Sequence, residues 1–141
     1  MYLIRTFVAP SPVHGVGLFA KDLVAAGTRI WTHDPRFDIV FARHEIDEFP
    51  NSFRELFETY AYPHGALDNR FILELDNGRF MNHSAEPNTN FANPGEGWAT
   101  RDIMAGEELT SDYSEIFENF DGTFGSHPPL VQAKYLESRG E

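Results

Sequence analysis

The sequence predicts a mainly β domain with a small α insert. Three observations carry this. Short runs rich in Val, Ile, Phe, Tyr and Thr recur along the chain, separated by Gly and Pro clusters. One stretch in the middle, residues 42–61, changes to helical spacing. No repeat, low-complexity segment or linker divides the 141 residues, so a single domain over 1–141 is expected.

The elements follow in chain order. Residues 2–8 read as the first strand, with Ile4, Phe7 and Val8 toward the core. Ser11-Pro12-Val13-His14-Gly15-Val16-Gly17 reads as a loop, and Leu18-Phe19-Ala20 resumes extended chain. Ala26-Gly27 turns into a strand at 28–32, and His33-Asp34-Pro35-Arg36 turns into another at 37–41. Ile46, Phe49, Phe53, Leu56, Phe57 and Tyr60 then recur at spacings of three and four. Pro50 splits this stripe into two short helices, and Ser52 with Glu55 has the spacing of a capping box for the second. The stripe reads as core rather than as ligand contact. Residues 71–75 form a strand, and Asp76-Asn77-Gly78 a tight turn by its Asn-Gly pair. Residues 79–90 are polar and irregular. A strand at 97–102 and the turn Ala105-Gly106 lead into Glu108-Leu109-Thr110. From Ser114 the chain is acidic and aromatic, with Phe117, Phe120 and Phe124.

Composition excludes several function classes. Apolar residues are 41% and aromatics 14%, enough to build a core, so global disorder is excluded. With no cysteine there is no disulfide framework, thiolate metal site or cysteine nucleophile. Asp and Glu number 22 against 11 Lys and Arg, a net charge of −11. Phosphates would repel such a surface, so no direct nucleic-acid partner is expected. The charge suits a basic partner, or simply keeps the protein soluble. Met1-Tyr2-Leu3-Ile4-Arg5 does not begin a targeting signal, and no apolar run nears the roughly 20 residues that span a bilayer. The expectation is an intracellular protein, cytoplasmic by default, with no membrane partner.

Three polar constellations remain. His14-Gly15-Val16-Gly17 lies between two strands, where glycine lets the backbone bend and approach a ligand; a plain turn reads equally from the motif alone. It opens no helix, which disfavours a dinucleotide fold. Asn82-His83-Ser84-Ala85-Glu86-Pro87-Asn88 is either a turn bonded to its own backbone or a polar loop lining a cleft. Gly106-Glu107-Glu108-Leu109-Thr110-Ser111-Asp112-Tyr113 ends on a tyrosine whose hydroxyl can orient a ligand, or which packs as an ordinary core aromatic. The six histidines have no i,i+4 pair on a helix and no His-Glu-x-x-His, so no metal site is expected. There is no Gly-x-Ser-x-Gly and no Walker loop.

The order of these pieces is more specific than any one of them. His14-Gly15-Val16-Gly17-Leu18-Phe19-Ala20, Arg79-Phe80-Met81-Asn82-His83-Ser84 with Pro87-Asn88, and Gly106-Glu107-Glu108-Leu109-Thr110 with Asp112-Tyr113 together resemble the SET domain of protein lysine methyltransferases. The resemblance covers about residues 3–115 and leaves 114–141 as an aromatic, acidic C-terminal segment. It implies small curved β-sheets around a C-terminal pseudoknot. It implies methyl transfer from S-adenosylmethionine to the side-chain amine of lysine in a basic protein. By this resemblance His14, Gly15, Val16, Gly17, Asn82 and His83 bind the cofactor. Tyr113 is the catalytic tyrosine, and Tyr62 sits near a second tyrosine of the lysine channel. A histone or a ribosomal protein is the kind of target implied, with a nuclear or chromatin-associated location and a homodimer left open.

Two departures stand out. Many members carry zinc-binding cysteines after the catalytic tyrosine; this chain has none, and Phe117, Phe120 and Phe124 are expected to wall the substrate channel instead. Many members also carry an aromatic two residues before that tyrosine. Here the residue is Ser111, which leaves room in the channel for di- or trimethylation. The alternatives are an inert SET-like module that binds a basic peptide, and a methyltransferase acting on a non-protein amine.

Overall fold

The structure is a computed structural model that describes residues 1–64, 67 and 69–116. The expectations for Phe117, Phe120 and Phe124 lie outside these residues.

Alternating apolar residues on either side of the Gly-containing loop pair with each other. β1 (Thr6–Pro10) runs antiparallel to β2 (Val16–Ala20), and Phe7 stacks on Phe19 with ring centroids 5.4 Å apart. The first strand therefore starts later than its β-rich run suggested. Tyr2 makes only an isolated bridge to Trp31. Val8 is exposed rather than core: it lies opposite buried Leu18, but β1 is the outer strand of its sheet.

β3 (Arg29–Thr32) and β4 (Asp38–Ala42) follow. The helical insert comes next, as α1 (Arg43–Asp47) and α2 (Asn51–Tyr60). Pro50 occupies the N-cap position of α2, where a missing N–H costs nothing. This starts α2 ahead of Ser52, so Ser52 is an interior residue and not the cap. The reciprocal bond falls on α1 instead, where the Ala42 N–H donates to Glu45 Oε2 at 2.6 Å. Phe57 is fully buried, ringed by Phe41, Phe49 and Phe53, and with Ile46, Ala61, Phe71 and Leu73 forms a satellite core under the helices.

β5 (Tyr62–Pro63) and β6 (Arg70–Glu74) come next. β6 is flanked by β4 on one edge and β5 on the other. No free edge is left for a returning hairpin strand, and the Asn-Gly pair accordingly does not make one. The chain winds into a 3-10 turn, Asn77–Phe80, capped by Asp76, whose Oδ1 accepts the Gly78 N–H at 3.0 Å.

The polar stretch contributes two very short strands, β7 (Asn82–His83) and β8 (Thr89–Asn90). β9 (Glu96–Ala99) and β10 (Glu108–Ser111) complete three small sheets, ordered β1-β2-β10-β7, β3-β9-β8 and β4-β6-β5. β10 is inserted between β2, which it meets antiparallel, and β7, which it meets parallel. Strands from the beginning, middle and end of the described chain thus share one sheet. The main core, with Leu18, Ile30, Trp31, Ile103 and Leu109, lies beneath it. The architecture is mostly β in small sheets with few helices, as the sequence predicts.

Candidate functional site

The first and second constellations meet through one side chain. Asn82, 8% exposed, directs its Nδ2 at His14 O (3.1 Å), Val16 O (3.0 Å) and Glu108 Oε1 (3.0 Å). An amide in the middle strand thereby holds the loop before β2 and the carboxylate that opens β10. Ser11 Oγ adds a bond to Glu108 Oε1 at 2.7 Å. Gly17 makes room for this carboxylate: a Cβ there would clash with Glu108 Oε1. Gly15 has a different reason. Its φ is +48°, a region that favours glycine, and a Cβ there would meet no atom within 4 Å. The backbone at 14–17 is thus pinned from one side and open at Gly15.

The second and third constellations meet at Tyr113. β7 and β10 place Asn82 opposite Thr110 and His83 opposite Ser111. Past the end of β10 the chain turns into a 3-10 segment, Tyr113–Glu115. The Tyr113 N–H donates to His83 Nδ1 at 3.0 Å, and its ring lies 5.3 Å from the His83 ring. Its hydroxyl donates to the Met81 carbonyl at 2.5 Å. Burial first, and then the charge of Glu108, push the Tyr113 phenol up to about 12. It is a neutral hydroxyl at physiological pH. With its proton on Met81 O, its oxygen lone pairs remain to accept weak contacts.

Tyr113 also walls a cavity of about 190 Å³, together with Tyr62 and Ser111. The structure brings these three predicted channel residues to one space. Residues 14–17, Asn82 and His83 do not line it. Tyr113 connects the two regions: its backbone is held by His83, and its ring faces the cavity. Ser111 is 2% exposed, so its small side chain is a fixed part of the wall.

Three residues of this region have a place that the sequence reading does not assign them. Tyr2 lines the cavity, with its hydroxyl 3.8 Å from Met81 Sδ. Glu74 lines it at 6% exposure and accepts the Tyr62 hydroxyl at Oε1, 3.1 Å away. Burial, then the charges of Asp76 and Asp38, push the Glu74 carboxyl up to about 8. Burial and the Glu74 charge push both Tyr62 and Tyr2 well above the usual tyrosine range. Glu108 is the third, as the acceptor at the junction of loop and strand. A sequence signal existed for Glu74, which interrupts the apolar run Phe71-Ile72-Leu73. None existed for Tyr2, which is far from the rest in the chain.

Among the described residues, no group of three His, Asp or Glu side chains could hold a metal ion. No helix there is long and apolar enough to cross a membrane.

Loop, buried Asn-His pair and cavity tyrosine define a protein of the SET-domain type. The SET domain family model matches residues 15–114, and the chain belongs to that family. A curated relative, the histone-lysine N-methyltransferase set5 of Schizosaccharomyces pombe, is 29% identical over 136 residues, which is 79% of this chain and 43% of the relative. The chain therefore spans less than half the length of that relative. Among solved structures, a candidate histone methyltransferase of Plasmodium falciparum aligns with a TM-score of 0.53 at 18% identity, over 78% of this chain and 93% of that one. A Chaetomium thermophilum Polycomb Repressive Complex 2 chain, in an autoinhibited conformation bound to S-adenosylmethionine, aligns at 0.61 and 16% identity, over 96% of this chain and 17% of that one. At these identities the structural likeness concerns the fold. The SET-domain match gives the family, and the S. pombe relative is named as a histone-lysine N-methyltransferase.

Proposed function

We propose that this chain transfers a methyl group from S-adenosylmethionine to the side-chain amine of a lysine in a basic protein. The observation that carries the reading is the position of Tyr113. One residue is tied to His83 through its N–H, bonded to the Met81 carbonyl through its hydroxyl, and set in the wall of an aromatic cavity.

The residues fit the cofactor. The open backbone at Gly15, held from behind by Asn82, suits a ligand that needs close main-chain approach. Residues 14–17 with Asn82 and His83 would hold it. When bound, S-adenosylmethionine supplies a methyl group on a positively charged sulfur. The chain itself has four tasks. Tyr2, Trp31, Tyr62 and Tyr113 line a cavity that excludes water from the incoming amine. Desolvation there lowers the amine pKa from about 10.4 toward neutrality. The Tyr113 oxygen and the Met81 carbonyl offer acceptors for C–H···O contacts that orient the reacting centre. Alignment in a fixed channel supplies most of the rate, up to about 7–11 kcal/mol in well-oriented systems.

The target class follows from charge. A net charge of −11, with Glu96 and Glu115 against Arg79 among the described residues of the cavity wall, favours a lysine-rich segment. A histone fits that chemistry and matches what the S. pombe relative is named for. Cofactor binding tests the reading first. Calorimetry should show one S-adenosylmethionine site in the wild type and in Tyr113→Phe, with transfer to basic proteins lost in the variant alone. No binding by the wild type would leave only an inert module, and full transfer by Tyr113→Phe would remove Tyr113 from the chemistry.

A further inference from the structure

An amine enters such a channel as an ammonium and must lose a proton before its lone pair can attack. Tyr113 is a poor acceptor. Its phenol is raised and its hydroxyl proton is already directed at Met81 O. Tyr2 and Tyr62 are raised as well. Glu96 and Glu115 line the cavity but are already engaged: Glu96 Oε2 accepts the Trp98 Nε1–H, and Glu115 Oε2 accepts the Phe91 N–H. Arg79 is a cation held over the Phe80 ring and cannot accept.

Glu74 differs from all of these. It is a carboxyl buried to 6% exposure in a cavity walled by aromatic rings, Met81 and the charged groups just named, and it accepts the neutral Tyr62 hydroxyl. A carboxylate so placed is costly until a cation arrives. We propose that Glu74 is the proton acceptor for the substrate amine. Its carboxylate takes one proton from the lysine ammonium, giving a carboxylic acid and a neutral amine whose lone pair is free. The proton leaves Glu74 to solvent when the product departs. The inference rests on the reading of the chain as a lysine methyltransferase and assigns one step within it.

The surroundings support the role. Asp38 of β4, Asp76 before the 3-10 turn, and the tyrosines Tyr2 and Tyr62 face Glu74, as does the Met1 amino group, which is bonded to Asp38. Burial first, and then the charges of Asp76 and Asp38, favour the protonated form of Glu74; Met1 and Tyr62 oppose this, and the balance lies at about 8. An acceptor works best with a pKa near the working pH.

Two measurements test this. The first is single-turnover methyl transfer from labelled S-adenosylmethionine to a pool of core histones and ribosomal proteins, from pH 6 to 10, for the wild type, Glu74→Gln and Glu74→Asp. The wild-type rate should rise through a limb near pH 8. Glu74→Gln should lose about 100-fold at pH 8, with its limb moved up by at least one unit, and Glu74→Asp should restore a limb near the wild-type position. A structural role would lower the rate without moving the limb. The second measurement needs no turnover and no variant that must fold. In wild-type protein with carbon-13 glutamate, one carboxyl should titrate near pH 8, and n-butylammonium should lower that midpoint by at least one unit. An unchanged limb in Glu74→Gln, or no carboxyl titrating above pH 6.5, overturns the inference alone. A wild type that methylates nothing in the pool overturns the parent reading, and this inference with it.

Discussion

At the scale of single residues, three side chains decide what the site can do. The loop before β2 illustrates the first. The resemblance reads Gly17 as cofactor-binding, and the structure adds a neighbour there, Glu108, pinned by Ser11 and Asn82. Gly17→Ala should displace that carboxylate and lose bonds that each contribute roughly 1–3 kcal/mol when left unmade. Gly15→Ala meets no atom and carries only the conformational penalty of a positive φ, about 1 kcal/mol. Urea denaturation should therefore rank Gly17→Ala as the less stable variant; the reverse order would contradict this account of Glu108. Ser111 is the second. Ser111→Phe should narrow the cavity and hold products at monomethyllysine by mass spectrometry, whereas the wild type should yield di- or trimethyllysine. Glu74 is the third. Its folded-state pKa of about 8 lies above the ordinary 4.5, so the folded chain binds the proton more tightly. Stability is fully retained below about pH 4.5 and falls as pH rises toward 8, by at most about 5 kcal/mol at 1.36 kcal/mol per unit. Glu74→Gln removes this loss. Its melting temperature should match the wild type near pH 4.5 and exceed it at pH 8.5. A difference that does not vary with pH would contradict the burial argument.

At the scale of elements, β10 depends on the polar stretch before it. Asn88, 2% exposed, brackets Leu109: its Nδ2 donates to Glu108 O at 2.8 Å and its Oδ1 accepts the Thr110 N–H at 2.9 Å. Thr89 Oγ1 donates to Thr110 O at 2.7 Å. Asn88→Ala strands two part-buried backbone groups and should destabilise the fold by roughly 1–3 kcal/mol in urea denaturation; under 0.5 kcal/mol would mean that β2 and β7 alone hold β10. This clamp explains why residues 79–90 look unstructured to pattern reading. Their order comes from side-chain bonds to a strand twenty residues later, which no local periodicity records. β4 and β6 were legible as short β-rich apolar runs, β6 being buried at four successive residues, and the aromatic stripe of α2 because burial of one helix face imposes a period on the residues. The Asn77-Gly78 pair and Ser52 misled, because the occupied edges of β6 and the position of Pro50 overrode local turn and cap preferences.

At the scale of the whole molecule, the fold assembles its site from distant thirds of the chain. Tyr2, Tyr62, Glu74, Ser111 and Tyr113 share one cavity only because three small sheets enclose it. The motif-bearing half of the candidate site, around residues 14–17, Asn82, His83 and Tyr113, could be singled out in the sequence because it rests on an unusual order of residue types. The acidic half could not, because Glu74 and Tyr2 acquire meaning only from burial beside each other. The expectation that a Phe-rich tail closes the channel concerns residues beyond 116. The net charge of −11 acts over the whole surface and should make capture of a basic target depend on salt.

The central claim is lysine methyl transfer centred on Tyr113. The most direct measurement incubates the wild type and Tyr113→Phe with labelled S-adenosylmethionine and a pool of basic proteins, then identifies the labelled residue by mass spectrometry. The account predicts methyl groups on lysine Nζ with the wild type and a loss of at least 100-fold with Tyr113→Phe. Label on another residue type, label only on a small amine, or equal transfer by both proteins would contradict it.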